Sequence, residues 1–507
     1  MYSYKPGCTF QTLEDIKGKN IVVMGLGLNG GGEACVRFFL RHGANVLATD
    51  MKTAEQLQPT IQKLSDDPEI DSSRLSYRLG EHRIEDFQNA DCVIKNPGVK
   101  FEGNKYLAAA KNIETDISIF LHFTKAPVIA VTGSKGKSST VSAINYGLNK
   151  AGFTAFLGGN ITVSPLTFLE KTNEKTPVVL ELSSWQLADL RGRKALKPKI
   201  CVITKIVPDH QNWYHAMEPY VADKRLIYAD QTSSDYSIFD FEGDEPGTGP
   251  ECGGTWGDFF AKETKGTVLR YAKSELPEGF FGVYQTKDAD GTFCGKAILP
   301  GMKEPETILK NLAVPGEHMK INALNAALVL RLMGISSTQC VEIMGEWPGI
   351  DHRLQFFHEY KNSSGGTFRF YNDSCATVPE AAAAASQSFG KPVYLLTGGT
   401  DKGLELTPLE KTLTGKNRND IPVKSLYLLD GSATEKIIPA LNEKNVKFKG
   451  PFKNLTEMLS SLKEEIDAQS TRNEAVVFSP GATSFGMFAN EFDRGNKFMQ
   501  AVKEIFR

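Results

Sequence analysis

Val128-Ile129-Ala130-Val131-Thr132-Gly133-Ser134-Lys135-Gly136-Lys137-Ser138 decides how the middle of this chain folds. An apolar, β-branched run enters a glycine-rich turn, and Gly-Lys-Ser opens a helix-like stretch. Glycine lets main-chain N–H groups crowd around an oxyanion, and a helix start adds the positive end of its dipole. Lysine supplies charge, and the serine hydroxyl suits Mg2+. The stretch predicts a phosphate cradle made of Gly133, Ser134, Lys135, Gly136, Lys137, Ser138 and Ser139. It points to nucleoside triphosphate chemistry. Val131 stands where a strict Walker A loop has glycine, and an ordinary strand–turn–helix has the same outline.

Residues 178–182 and 200–204, downstream of the loop, are short apolar runs that read as buried parallel strands. Similar runs lie upstream at 21–27, 45–50 and 91–94, and near the C-terminus at 393–399, 426–431 and 475–480. Strands alternating with helices predict an α/β protein with parallel sheets, whose ligands sit beyond the carboxyl ends of the strands. A length of 507 residues supports about three domains at roughly 150 residues each. The expected division is a Rossmann-like domain over 1–120, a central P-loop-type ATP-binding domain over 121–350, and a Rossmann-like domain over 351–507. Residues 233–301, rich in Gly, Pro and charge, are taken as an insertion, with 241–247 as a surface loop.

A net charge of −2 argues against a nucleic-acid binder, which would show a basic excess. Hydrophobic content of 41% and charged content of 23% fit a soluble enzyme. The eight cysteines form no Cys-x-x-Cys, and the N-terminus has no signal-peptide pattern. Reduced thiols in a cytoplasm are therefore expected. No apolar run approaches the roughly 18 residues of a membrane span.

Gly25-x-Gly27-x-x-Gly30 follows a strand, with Asp50 20 residues beyond Gly30. That fingerprint suits a pyrophosphate and ribose, in a dinucleotide or a UDP-sugar, though tight strand–helix packing also needs glycine. Glu181 ends a buried strand, where a bare carboxylate is costly without a cation or a hydrogen-bond network. His210 follows the next strand, and both would face the loop. With Ser138 they suit an oxygen-lined Mg2+ site. Lys224 reads as a solvated helix lysine. Asp373 ends a strand-like run and suits a ribose hydroxyl. Turns at 398–403 and 479–484 suit a small carboxylate.

In order along the chain, Thr132-Gly133-x-x-Gly136-Lys137-Ser138, Glu181-Leu182-Ser183-Ser184, Asp209-His210 and His352-Arg353 resemble the marks of the Mur ligases. These are ATP-dependent amide-forming enzymes of peptidoglycan assembly. Asn372-Asp373-Ser374-x-Ala376-Thr377, Gly398-Gly399-x-Asp401-Lys402-Gly403, Ser479-Pro480-x-x-x-Ser484 and Arg494-Gly495 resemble the glutamate-adding branch. The resemblance implies ATP and Mg2+ as cofactors, UDP-N-acetylmuramoyl-L-alanine and glutamate as substrates, and an acyl-phosphate intermediate. It further implies a bacterial cytoplasmic monomer with neither nucleic-acid nor membrane partners.

Roles follow residue by residue. Lys137, His210 and Lys224 would be catalytic, with Lys224 carbamylated. Ser138, Glu181, His210 and Lys224 would serve the metal. Asn322, Arg353 and Asp373 would grip the nucleotide, and Asn160 the muramoyl group. Asn29, Asp50 and Asn96 would line the uridine diphosphate site, and Thr377, Lys402 and Ser484 would orient glutamate. Four positions depart from the family pattern. Lys135 and Met319 replace asparagines, Cys375 a lysine and Glu491 a phenylalanine. The alternative reading is a related Mur-type ligase adding another amino acid or L-glutamate. A nicotinamide oxidoreductase would leave the second loop unexplained, and intact Lys137, Glu181 and His210 argue against a UDP-sugar sensor.

Overall fold

The computed structural model describes residues 3–243, 248–415, 420–484 and 486–507. Residues 244–247 of the expected surface loop, and Phe485 of the C-terminal signature, lie outside the described residues.

The first sheet holds β1 (Asn20–Met24), β2 (Asn45–Asp50), β3 (Leu75–Leu79), β4 (Cys92–Lys95) and β5 (Ile113–Glu114). Its order is β3-β2-β1-β4-β5, and every pair is parallel. The order reverses between β1 and β4, so a crevice opens beyond their carboxyl ends. β1 is buried from Ile21 to Met24, as a strand covered on both faces requires. Helix Gly31–Arg41 sits tightly on this sheet. A Cβ on Gly32 would come 2.3 Å from the Leu26 carbonyl oxygen.

The second sheet holds β6 (Val128–Thr132), β7 (Phe156–Gly159), β8 (Val178–Glu181), β9 (Ile200–Ile203), β10 (Tyr236–Asp240), β11 (Thr267–Ala272), β12 (Gly282–Lys287), β13 (Phe293–Ile298) and β14 (Glu306–Lys310). Its order is β14-β13-β12-β11-β10-β9-β6-β8-β7. The expected all-parallel sheet is corrected at one edge, where β12, β13 and β14 run antiparallel. The reason is connection length. Asp288 and Thr292 close a tight turn between β12 and β13, whereas a parallel crossover needs a dozen residues or more. Residues 233–301, expected as an insertion, contribute β10 to β13 to this sheet. Their Gly, Pro and charge lie largely in turns between short strands.

The third sheet holds β15 (Gln355–Lys361), β16 (Thr367–Asn372), β17 (Tyr394–Gly398), β18 (Ser425–Leu429), β19 (Lys449–Phe452) and β20 (Glu474–Phe478), in the order β15-β16-β20-β17-β18-β19. Only its β15 edge is antiparallel, again across a short turn. Alternate residues of β20 enter opposite cores: Val476 and Phe478 one, Ala475 and Val477 the other. Period-two alternation with both faces apolar is how one strand serves two helix layers.

The chain packs as two compact units, residues 1–310 with 321–344, and residues 311–320 with 345–507. The first contains the first two sheets, which share one core around Phe38, Phe39, Phe120 and Phe168, while Val22, Met24 and Val93 of the first sheet pack in a separate cluster. Among the described residues, no helix is long and apolar enough to cross a membrane.

Candidate functional site

The phosphate loop joins β6 to helix Lys137–Lys150. Gly136 caps that helix in a left-handed conformation, and no side chain caps it. The N–H groups of its first turn therefore suit an anion. Gly133 and Gly136 have φ of 143° and 91°, which other residues rarely adopt. A Cβ would lie 1.9 Å from Thr204 Oγ1 at Gly133, and 2.5 Å from Asn322 Oδ1 at Gly136. Only glycine lets the backbone pass at these points. The structure also narrows the cradle. Ser134 and Lys135 donate their N–H groups to the Lys205 carbonyl, at 2.9 and 3.3 Å. Ser134 Oγ is fixed by the Val207 carbonyl and the Tyr220 hydroxyl, at 2.8 and 2.9 Å. Of the predicted cradle, the helix start at Gly136, Lys137, Ser138 and Ser139 is thus the part that suits an anion.

Lys137 folds back over the loop, its Nζ donating to the carbonyls of Gly133 and Ser134 at 3.0 and 3.1 Å. Burial lowers its pKa, with Glu181 and Asp209 opposing the shift. Lys224 ends helix Met217–Lys224 and is 2% exposed. The solvated-lysine reading is therefore corrected, because this helix packs the side chain inward. Lys224 Nζ donates to the Gly133 carbonyl at 2.8 Å and sits 4.5 Å from the Tyr220 ring centre. Burial first, and the like charge of Lys137 second, push its pKa well down.

Glu181 ends β8 and is 1% exposed. Its Oε1 accepts from Asn160 Nδ2 at 3.0 Å, while Oε2 is buried with no hydrogen-bond partner among the described residues. A buried orphan carboxylate oxygen asks for a cation. Among the described residues, no group of three or more His, Cys, Asp and Glu is gathered for a metal. One buried carboxylate suits Mg2+, which commonly takes one or two carboxylates and completes its shell with water and substrate phosphates. His210 is exposed after β9, in a left-handed conformation, with its ring 4.9 Å from Trp185. Lys135 is exposed, its Nζ 3.7 Å from Asp209 Oδ2.

In the first sheet, Asp50 is largely spent on loop shape. Its two oxygens accept from the N–H groups of Gly27 and Lys52, each at 2.9 Å. Asn96 Oδ1 accepts from Gly98 N at 3.0 Å, and Asn29 is exposed. Beside the β4 end lies a cleft of about 280 Å3, lined by Lys95, Pro97, Trp185, Asp189 and Trp213 among others. Trp185 and Trp213 pack at 4.8 Å. Sequence reasoning missed this lining. One available signal was Lys95, a charge closing an otherwise apolar strand.

In the second unit, Asp373 follows β16. Its oxygens accept from Ser479 Oγ at 2.6 Å and Leu354 N at 3.1 Å, and burial pushes its pKa up to about 6. His352 Nδ1 meets Asn372 Nδ2 at 2.9 Å and Ser374 Oγ at 3.2 Å, which supports a structural role. Arg353 and Lys402 are exposed, Thr377 and Cys375 half-buried, and Ser484 buried. Arg494, quoted in the motif but given no role, is 1% exposed. It donates to the carbonyls of Ser374 and Ala482 at 2.8 and 2.9 Å, tying the Asp373 turn to the Ser484 turn. Glu491 lies in the first turn of helix Glu491–Ile505, and Met319 is buried in helix Glu317–Leu332. The structure thus gathers Lys137, Glu181, Lys224, Asn160 and Asn322 around one loop. It gathers Asp373, Ser374, His352 and Arg494 around another.

Residues 19–118 match the family described as the Mur ligase MurD-like N-terminal domain, and residues 131–330 the Mur ligase middle domain. A UDP-N-acetylmuramoylalanine–D-glutamate ligase of Treponema pallidum (strain Nichols) is 38% identical, covering 97% of this chain and 98% of its own. One of Borreliella afzelii (strain PKo) is 35% identical over 97% and 99%. Among solved structures, MurF from Acinetobacter baumannii gives a TM-score of 0.55 at 14% identity, covering 99% of this chain and 100% of its own. MurC, a UDP-N-acetylmuramate–alanine ligase of Thermotoga maritima, gives 0.52 at 16% identity, over 96% and 99%. A three-sheet α/β chain of this order, matched over nearly its whole length by such relatives, belongs to the Mur ligase family.

Proposed function

We propose that the chain joins D-glutamate to UDP-N-acetylmuramoyl-L-alanine at the expense of ATP, in the cytoplasmic stage of peptidoglycan synthesis. The observation that carries this reading is the gathering of Lys137, buried Lys224 and the orphaned Glu181 oxygen at one phosphate loop. The D-glutamate ligase names of the relatives supply the substrates.

The alanine carboxylate attacks the γ-phosphorus of ATP, giving an acyl phosphate and ADP. The glutamate amine then attacks the acyl carbon, and phosphate leaves from the tetrahedral intermediate. Two anions meet in the first step, so charge neutralisation is the central requirement. Lys137 supplies it at the helix start, with Lys135 beside it. Mg2+, when bound, neutralises phosphate charge and polarises the γ-phosphoryl group. Ser138, Glu181, His210 and a carbamylated Lys224 would serve that ion. A desolvated, neutral Lys224 amine can add CO2: an N–C bond forms, a proton leaves, and the amine becomes an anionic oxygen ligand. Alignment of the substrates supplies roughly 7–11 kcal/mol. We assign the pyrophosphate and uridine to the Gly25–Gly30 turn with Asn29, Asp50 and Asn96, and the muramoyl group to Asn160. Asn322, Arg353 and Asp373 are assigned to ATP. Thr377, Lys402 and Ser484 are assigned to glutamate, and His210 to the proton that the amine must lose.

The test is phosphate release with ATP, Mg2+, UDP-N-acetylmuramoyl-L-alanine and a panel of D- and L-amino acids. Release dependent on D-glutamate is expected. Dependence on another amino acid, or on none, refutes the assignment.

A further inference from the structure

Lys95 is the last residue of β4, immediately before Asn96. Its Nζ donates to Asp189 Oδ2 at 2.8 Å and to the Asn96 carbonyl at 3.2 Å. Asp189 follows helix Ser184–Ala188, which starts just beyond Glu181 at the end of β8. Both side chains are buried, 3% and 8% exposed. The second Asp189 oxygen accepts from the Tyr4 hydroxyl at 3.3 Å. Beside this pair, Arg193 donates to Glu114 Oε2 at 2.8 Å, to the Ile113 carbonyl at 2.6 Å and to the Asp189 carbonyl at 2.8 Å. A buried ionic brace therefore runs from β4 and β5 of the first sheet to the helix that follows β8 of the second.

A buried ion pair is weak evidence of net stability, since a well-packed apolar pair of similar volume is often as good or better. What it does supply is direction: two charges in a low-dielectric site meet in one geometry, and their hydrogen bonds fix it. This pair spans two elements that carry ligand-facing groups. One end fixes the backbone of the Asn96 turn. The other fixes the helix whose Trp185 packs on His210 at 4.9 Å.

We propose that Lys95 and Asp189 are positioning residues that hold the Asn96 turn, at the UDP-sugar end, in register with Glu181 and the phosphate loop. The inference rests on the function proposed above. The pair touches neither ATP nor the amino acid in this account, so its loss acts on the muramoyl nucleotide. A displacement near 1 Å can cost on the order of a hundredfold, so a partial loosening is expected to cost about tenfold.

The experiment compares wild type with Lys95→Met/Asp189→Leu, which replaces both charges by apolar groups and leaves no lone buried charge. Lys95→Arg, which keeps the charge, is the rescue variant. Melting temperature and the KM values for all three substrates are measured. The double variant is expected to melt close to wild type, with KM for UDP-N-acetylmuramoyl-L-alanine up about tenfold and KM for ATP and D-glutamate within about twofold. Lys95→Arg is expected to recover most of that loss. An unchanged muramoyl-nucleotide KM in a folded double variant overturns the inference. So does a uniform rise of all three KM values with a fallen melting temperature, which marks a merely structural brace. Absence of muramoyl-nucleotide-dependent turnover in wild type instead overturns the functional reading, and the inference with it.

Discussion

Glu181→Gln isolates the charge at the metal side while keeping the shape. Glu181 Oε1 is satisfied by Asn160, and Oε2 has no partner among the described residues. An unsatisfied buried oxygen costs about 1–3 kcal/mol, and more when charged. The positive charge of Lys137 partly offsets this, since Glu181 raises its pKa. The substitution leaves a neutral orphan in place of a charged one and removes the attraction as well, so unliganded stability is expected within about 1 kcal/mol of wild type. Ligand changes the comparison. At a hundredfold excess over Kd, Mg2+ with a non-hydrolysable ATP analogue stabilises wild type by about 2.7 kcal/mol. Even outer groups around a metal cost 10–100-fold in affinity, and a direct ligand costs at least that. A hundredfold loss leaves the variant about 0.4 kcal/mol of stabilisation at the same concentration. The assay is thermal unfolding of both proteins, with and without Mg2+ and analogue. At roughly 2 °C per kcal/mol, wild type gains on the order of 5 °C and the variant about 1 °C. Equal gains would show that Glu181 does not serve the metal, and that the orphan oxygen has another explanation.

Lys137→Ala is expected to abolish glutamate-dependent phosphate release while leaving binding of the UDP-sugar, measured by calorimetry, nearly intact. Intact-mass measurement in bicarbonate buffer is expected to show the mass of one added CO2 on Lys224, lost in Lys224→Ala; a bare amine in active enzyme contradicts the carbamate. Asp373 carries a raised pKa, about 6 against an ordinary 3.8, so the native state holds its proton at pH values where the unfolded chain has released it. Its share of stability is therefore full below about pH 4 and falls as pH rises through 6, by up to about 3 kcal/mol. Denaturant titrations of wild type and Asp373→Asn at both ends of that window should show a shallower decline in the variant. Gly133→Ala would place a Cβ 1.9 Å from Thr204 Oγ1 at a φ of 143°, costing about 1–3 kcal/mol by urea unfolding and distorting the loop. Unchanged stability would mean that the loop relaxes freely.

What the sequence made legible was local. A strand, a glycine turn and a helix start are contiguous, so the loop at 128–138 and the turn at Gly25–Gly30 could be read from residue types alone. The antiparallel edge at β12 and β13 was legible in principle, because five residues between strands cannot make a crossover. Burial was not legible. Lys224 sits on a short helix of mixed polarity, and only packing decides that its ammonium points at Gly133. Lys95 and Asp189 are 94 residues apart, and no periodicity links them. Asp50 matched its fingerprint by spacing, yet its carboxylate largely holds the Gly27 and Lys52 amides. Spacing identifies a position, and hydrogen-bond accounting shows how much of that residue is left for a ligand.

The same accounting separates the charges of the two units' candidate sites into two kinds. The carboxylates of Asp50 and Asp373 face main-chain N–H groups and set the shapes of turns. The cations of Lys137, Lys224 and Arg494 face main-chain carbonyls. A carbonyl satisfies a donor hydrogen bond without cancelling a charge, so Lys137 keeps its charge for a phosphate. That arrangement is costly in an empty protein, since burial already drives the Lys137 and Lys224 pKa values down. It becomes favourable when a polyanion enters, because the fixed charges need little rearrangement to meet it. Lys135, exposed and near Asp209, is the exception, because its charge is already partly matched.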